Sequence, residues 1–248
     1  MNIKSSLKYQ LFEFKRPIII FYIVIIAVIF LFFIMNIAYK SSDISFNGMD
    51  VASIIFIFIA GLNSFKSIFY LFSANGISRK TLFTSFIIST APICGLMALI
   101  DTIIGFMLSL FINYNTMFFQ VYNSRYGHEN NINLFSGKLQ FLGESFLWSF
   151  FTYAMFIIIG FLITVIYYRM NKITKILVSV GVPIFFTSIL PTIDGILFKG
   201  AIIRSIINLF SFIFGDSNPY ISILFSIMIF IILTVISFLF IRKAPIKD

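Results

Sequence analysis

Long runs of apolar residues dominate the chain and are separated by short polar segments. A helix needs about 20 mostly apolar residues to cross the hydrocarbon core of a bilayer. The pattern therefore predicts an all-α integral membrane protein with six transmembrane helices, in which residues 1–248 form a single membrane domain. The six predicted spans are residues 17–38, 51–73, 84–111, 143–168, 174–193 and 219–241.

The amino-acid composition supports an assignment to the membrane class. Apolar residues make up 60% of the chain and charged residues 11%, whereas soluble domains are about 45–50% apolar and about 25% charged. Cys94 is the only cysteine, which excludes an intrachain disulfide. His128 is the only histidine, and we interpret it as a solvated loop residue because a metal site needs several converging ligands.

Lysine and arginine residues are distributed unevenly between the predicted spans. Twelve lie on the side that carries both chain ends, and five lie on the other side. Loops rich in these residues stay in the cytoplasm during membrane insertion. The sequence therefore predicts a multi-pass protein of the cell (plasma) membrane with cytoplasmic N- and C-termini.

Two segments outside the spans have an amphipathic helical pattern. Residues 1–16 repeat apolar side chains at helical spacing among lysines, which predicts a cytoplasmic helix lying in the membrane interface. Pro17 then suits the first turn of the first span. Residues 200–215 combine an apolar stripe with a polar one, which predicts a short interfacial or re-entrant outer helix before the last span.

The basic segment NGISRKTLF separates the second and third spans. Its Asn-Gly pair predicts a turn, and apolar side chains follow beside two basic ones. Spacing alone leaves two interpretations open. The segment is either a connecting loop whose charges fix topology, or a one-turn helix that docks in a groove of a soluble partner. The candidate docking residues are Asn75, Gly76, Ile77, Ser78, Arg79, Lys80, Thr81, Leu82 and Phe83.

The longer stretch SANGISRKTLFTSF resembles the segment after the second span in ABC-2 type transporter permeases. There, an N-G-x-S-R-x-x-x-F pattern forms the cytoplasmic coupling helix. The six spans, the basic N-terminal segment and the short outer helix are also similar to that family, and to its small peptide-toxin and bacteriocin export permeases. The resemblance implies the permease subunit of an ATP-driven ABC exporter. It would form a homodimer or heterodimer with a second permease chain and couple to two copies of a separate ATP-binding subunit.

No phosphate-binding motif of the form G-x-x-x-x-G-K-[ST] occurs in the sequence. We therefore expect no enzymatic activity and no bound cofactor in this chain, with ATP and Mg²⁺ held by the partner subunit. The expected cargo is an amphipathic, antimicrobial or toxin peptide, with lipids and drugs as alternatives. A non-transporting membrane anchor or sensor partner is a second function class. An intramembrane hydrolase would need pairs of catalytic residues at membrane depth, which the sequence lacks.

Polar side chains recur at helical spacing within the second and fifth spans and so share one face of each helix. Such faces contact protein or water rather than lipid, either in interhelical hydrogen bonds or along a cavity. The resemblance implies that both faces line the translocation cavity. The residues concerned are Asn63, Lys66, Ser67, Tyr70, Ser179, Pro183, Thr187 and Ser188.

Asp101 places a carboxyl group inside the third span. An ionisable residue at membrane depth is a candidate for function, and the alternative is a carboxyl group paired with a neighbouring helix. The sequence does not decide between the two. The role of the outer loop at residues 113–142 is also left open.

Overall fold

The computed structural model describes residues 3–39, 46–111, 114–126, 135–214 and 218–242, which are almost entirely helical. Two short strands, β1 (Phe46–Asn47) and β2 (Tyr114–Asn115), pair in parallel. A π-helical segment, Phe185–Ile189, lies within the fifth span. The helices are α1 (Ile3–Tyr39), α2 (Met49–Asn63), α3 (Lys66–Ala74), α4 (Arg79–Phe111), α5 (Met117–Val121), α6 (Asn123–Tyr126), α7 (Phe135–Arg169), α8 (Lys172–Ile184), α9 (Leu190–Leu197), α10 (Ala201–Phe214) and α11 (Pro219–Arg242).

Six helical stretches within the described ranges are long and apolar enough to cross a membrane. The predicted all-α fold class with six spans is therefore confirmed. Helix α10, which has 14 residues, is too short to be a further span and lies before the last one, as the sequence predicts. The six stretches are Ile3–Met35, Met49–Ala74, Arg79–Leu110, Lys138–Arg169, Lys172–Leu197 and Pro219–Arg242.

The N-terminal segment is not a separate helix. Helix α1 continues through Pro17, so the predicted boundary between an interfacial helix at residues 1–16 and the first span is wrong. The continuous helix packs against α4 through polar as well as apolar side chains. The buried Gln10 amide nitrogen donates to the Ser85 hydroxyl at 2.9 Å, and the Ser89 hydroxyl donates to the Gln10 side-chain oxygen at 3.2 Å. These bonds hold a polar side chain of the supposed interfacial segment inside the bundle.

Helix α7 lies between α2, α4 and α11, and α1 packs against α4. One stripe of α7, with a residue at every fourth position, is fully buried: Tyr153, Ile157, Phe161 and Val165. The Phe161 ring stacks on that of Phe86 in α4, with ring centroids 4.1 Å apart. The core of the molecule therefore follows this stripe.

Two glycines allow the backbones of α2 and α7 to touch. A methyl group added at Gly61 would lie 2.2 Å from a carbonyl oxygen of α7, and one added at Gly160 would lie 2.3 Å from a carbonyl oxygen of α2. Small residues permit this close approach of helices in membranes. The Thr164 hydroxyl of α7 strengthens the contact by donating to the Leu62 carbonyl at 2.6 Å.

The fifth span stands apart from this packed group. Neither α8 nor the π-helical segment has a buried residue, and Asp194 is the only buried residue of α9. Pro183 and Pro191 interrupt the helical hydrogen bonding of this span because proline has no N–H, and the π-helical segment lies between them. Helix α9 contacts α10, which in turn contacts α11. Almost the whole surface of the fifth span is thus left uncovered by the described part of its own chain.

The glycine contact predicts a position-specific loss of stability. We expect Gly160→Ala to lower the thermal stability of the purified protein, because the added methyl group must push α2 away, and overpacking of this kind costs about 1–3 kcal/mol. Gly181→Ala in α8 is the matched control, since an added methyl group there meets nothing within 4 Å. Equal melting temperatures for the two variants in detergent would contradict the backbone contact.

Candidate functional site

An acceptor-rich groove lies between α1 and the break that separates α2 from α3. The Ser67 hydroxyl donates to Glu13 Oε1 at 3.1 Å. The second carboxylate oxygen of Glu13, Oε2, is buried and has no hydrogen-bond partner among the described residues. We call this feature the Glu13 groove; it is lined by Glu13, Phe14, Pro17, Phe56, Ile59, Ala60, Asn63 and Ser64.

The helix break beside the groove has its own hydrogen-bond donors. Carbonyl groups at the end of a helix lose their regular partners. The Ser64 hydroxyl donates to the Gly61 carbonyl at 2.7 Å, and the Thr164 hydroxyl donates to the Leu62 carbonyl at 2.6 Å. Hydroxyl groups therefore stabilise the break.

The polar face predicted for the second span is present and lies beside the Glu13 groove. Asn63, Lys66 and Ser67 are exposed, and Tyr70 is half-buried. No carboxylate of the described residues lies within ion-pair distance of Lys66. Sequence reasoning missed Glu13, the residue that this face meets. The sequence could have indicated Glu13, because it is the only acidic residue before Asp43.

The polar residues predicted on the fifth span are all exposed. The Thr187 hydroxyl donates to the Pro183 carbonyl at 2.8 Å, and the Ser179 and Tyr167 hydroxyl groups lie 3.0 Å apart. Ser188 is exposed on the same span. Helices α8 and α9 make their main contacts through the π-helical segment and α10. A single chain thus does not bring the two polar faces together, and their role in a cavity stays a prediction.

The segment at residues 75–83 forms a turn and the first turn of α4 rather than a separate one-turn helix. Its three proposed apolar anchors, Ile77, Leu82 and Phe83, are buried in the core of this chain. The Phe83 ring packs against Phe238 of α11, with centroids 5.4 Å apart. The prediction that these side chains are presented to a partner is therefore wrong, because the chain covers them itself.

The polar residues of the same segment are the ones that remain accessible. Asn75, Gly76, Ser78 and Lys80 are exposed, and Gly76 has a positive φ of 66° that suits the turn. The Ser78 hydroxyl accepts from the Thr81 backbone N–H at 3.1 Å and so caps α4.

Arg79 also connects two helices of the bundle. Its guanidinium group donates to the Arg242 carbonyl at the end of α11, at 2.8 Å. Helix α11 carries negative partial charge at this end, which favours a cation there. A function of residues 75–83 in coupling stays a prediction, and any contact with a partner would be made by the polar side chains.

Asp101 is buried in a network that joins three spans. The Tyr22 hydroxyl of α1 donates to Asp101 Oδ1 at 2.9 Å, and the Tyr153 hydroxyl of α7 donates to Oδ2 at 2.5 Å. The carboxyl group is therefore paired with neighbouring helices, which is the alternative that the sequence left open. No basic side chain of the described residues forms an ion pair with it.

A second buried carboxyl group, Asp50, anchors the loop that follows α4. It accepts from the Met117 backbone N–H at 2.8 Å and from the Tyr114 hydroxyl at 3.5 Å. Burial, together with the nearby Asp50 charge, raises the pKa of Tyr114 above its usual range, so that the phenol stays a neutral donor. Residues 114–126 of the predicted outer loop are thereby folded onto the ends of α2 and α4.

A third polar cluster surrounds Glu144 and was also missed from the sequence. Glu144 is buried, forms a salt bridge to Arg125 at 3.2 Å and accepts from the hydroxyl groups of Tyr126 and Tyr220. The Gln140 amide nitrogen donates to it at 2.8 Å. The sequence could have indicated Glu144, because this acidic residue lies next to a long apolar run.

His128 lies outside the described residues.

Asp194 forms the cap of helix α10. Its two carboxylate oxygens accept from the backbone N–H groups of Ile202 and Ile203, each at 2.9 Å. A negative charge is stabilised at the positive end of a helix, where the first N–H groups lack partners. This acid therefore has a structural role that its sequence position did not reveal.

No family model, curated protein or solved structure matches this chain. Its relationship to ABC-2 type permeases thus stays a prediction that depends on the motif at residues 75–83 and on the order of the spans.

The Asp101 network predicts a specific order of stabilities. We expect Asp101→Leu to lower the melting temperature in detergent, because it leaves the buried Tyr153 hydroxyl without an acceptor, at about 1–3 kcal/mol. The Tyr22 hydroxyl keeps the Met97 carbonyl, at 3.1 Å, as its acceptor. Asp101→Leu combined with Tyr22→Phe and Tyr153→Phe should recover much of the loss, because no unpaired donor remains. A triple variant that is less stable than the single one would show that these hydrogen bonds do not hold the helices together.

Proposed function

We propose that this chain is the permease subunit of an ATP-driven exporter. In this proposal it lies in the plasma membrane with both termini in the cytoplasm, and it forms the translocation pathway with a second permease chain. The observation that carries the proposal is the exposure of two polar faces, one on α2–α3 and one on α8–α9. Polar side chains at membrane depth are expensive when they face lipid.

A second copy of the chain is the partner best suited to cover these faces. The fifth span has almost no buried residue of its own, whereas the spans around α7 pack on one another. Two chains that place their second and fifth spans opposite one another would enclose both polar faces. The enclosed space would then be lined by hydroxyl and amide groups, which suits a pathway for amphipathic cargo.

The energy source in this proposal is a separate ATP-binding subunit, which would hold ATP and Mg²⁺. The docking surface would consist of the exposed residues of the turn between α3 and α4 and of the start of α4, among them Ser78 and Lys80. Amphipathic or antimicrobial peptides are the proposed cargo. A lipid or drug exporter, or a non-transporting anchor or sensor partner, is the alternative.

Cross-linking tests the proposed arrangement of two copies. We expect Ser188→Cys, in a Cys94→Ala background, to form a covalent dimer when native membranes are oxidised, because a disulfide needs Cα atoms within about 7 Å. Phe186→Cys is the control, since it is exposed on the opposite face of the same helix. Differently tagged copies on a non-reducing gel identify the dimer.

Two results would contradict this arrangement. One is a Ser188→Cys protein that stays monomeric under oxidation, and the other is equal cross-linking at both positions. The second result would indicate random collision in the membrane.

A charge reversal tests the docking of an ATP-binding subunit. We expect Lys80→Glu to lower the ATPase activity that purifies with the tagged chain about tenfold, equivalent to about 1.4 kcal/mol of docking free energy. The amount of chain in the membrane should not change, because Lys80 is exposed. Lys172→Glu, at the exposed start of α8 on the predicted cytoplasmic side, is the control. Absence of co-purifying ATPase activity from the wild-type chain would favour the anchor or sensor alternative.

A further inference from the structure

We propose that the Glu13 groove binds the ammonium group of a cationic amphiphile, whose aliphatic tail lies along the adjoining face of α1. The site is separate from the polar face of the fifth span. It does not depend on the export function, because binding requires neither ATP nor a partner chain.

The groove presents hydrogen-bond acceptors that lack donors. Glu13 Oε2 is the only carboxylate oxygen among the buried, unpartnered side-chain atoms of the described residues. An unmade hydrogen bond to a buried charged group is costly. Pro17, four residues later in α1, has no N–H to donate to the Glu13 carbonyl, so the backbone at this point is rich in acceptors as well.

The surroundings of Glu13 favour a ligand that is a positively charged hydrogen-bond donor. No lysine, arginine or histidine lines the groove, and no basic group of the described residues lies within ion-pair distance of Glu13. The Asn63 amide nitrogen donates one of its two N–H groups to the Ile59 carbonyl at 3.1 Å, and its side-chain oxygen is a further acceptor. A primary ammonium group, with three donors and one positive charge, complements these acceptors.

An apolar channel for the tail continues from the same place. A second groove shares Pro17 and Phe56 with the first and extends along α1 past Ile20 to Val24. Its lining surface is entirely apolar, so Arg16 at its edge contributes only the methylene stem of its side chain. Residues 17–24 span about 10 Å of helix, which matches a medium-length alkyl chain.

Lys66 is the competing occupant within the chain. It is exposed and belongs to the same polar face as Asn63, which lines the groove. A lysine side chain is long and flexible, so a change of rotamer that brought its ammonium group to Glu13 would satisfy the same oxygen. The experiment must therefore separate a bound amphiphile from Lys66.

The test measures binding of radiolabelled decylammonium to the full chain in lipid nanodiscs. Empty nanodiscs measure how much decylammonium partitions into the lipid alone. We expect saturable binding to the wild-type chain. Unlabelled decylammonium should displace the label, whereas decyltrimethylammonium, which has no N–H donor, and uncharged decanol should do so poorly. Methylammonium, which lacks a tail, should not displace it.

Glu13→Gln should weaken decylammonium binding by about tenfold or more, because a charge-assisted hydrogen bond contributes about 1.5–3 kcal/mol. The variant should remain folded, since it replaces a half-buried carboxylate by an amide of the same shape. Lys66→Met is the matched control and should bind at least as tightly as the wild type.

Three outcomes would overturn the proposal. The first is equal binding by the wild-type chain and Glu13→Gln. The second is binding that appears only after Lys66→Met, which would identify Lys66 as the partner of Glu13. The third is displacement by decyltrimethylammonium as effective as displacement by decylammonium, which would remove the requirement for a donor.

Discussion

A bilayer offers no water to polar groups, so a carboxyl group within the spans must find its hydrogen-bond partners on other helices. Asp101 meets this constraint through Tyr22 and Tyr153, which bind one oxygen each. Apolar side chains attract one another in lipid only weakly, because lipid tails are equally apolar. The polar contacts therefore fix how α1, α4 and α7 are aligned, and the buried stripe of α7 fills the space between them. The glycine contact between α2 and α7 completes this packed half of the molecule.

The six spans and the polar face of the second span could be predicted because each depends on a local pattern, namely the length of an apolar run or a spacing of three and four residues. The continuity of α1 could not be predicted in this way, because Gln10 lies inside the bundle through hydrogen bonds to Ser85 and Ser89 of another span. Local patterns also cannot show whether an apolar side chain is covered by its own chain. The sequence predicts Phe83 as a docking residue, yet its ring packs on Phe238, a residue of the last span. The Glu13 groove was missed for the same reason.

The two halves of the molecule satisfy their polar groups in different ways. Around α7, hydroxyl groups donate to other helices, as Thr164 does to Leu62. On the fifth span Thr187 donates to Pro183 of its own helix, whereas Ser179, near the start of the span, pairs with Tyr167 of α7. Local bonds of this kind make the helix tolerable in lipid, but they do not specify which face it turns toward its neighbours. The position of the fifth span in the membrane thus depends on contacts that its own described chain does not provide.

Two interruptions of helical hydrogen bonding lie beside one groove, at Pro17 and at the break formed by Ser64 and Phe65. Such interruptions persist at membrane depth only where protein, water or a ligand satisfies the freed groups. At the break, hydroxyl groups supply the donors. At Glu13, Ser67 supplies one donor and the second carboxylate oxygen receives none. The chain thus satisfies Asp50, Asp101, Glu144 and Asp194 internally and leaves this carboxylate with one oxygen open to a further donor.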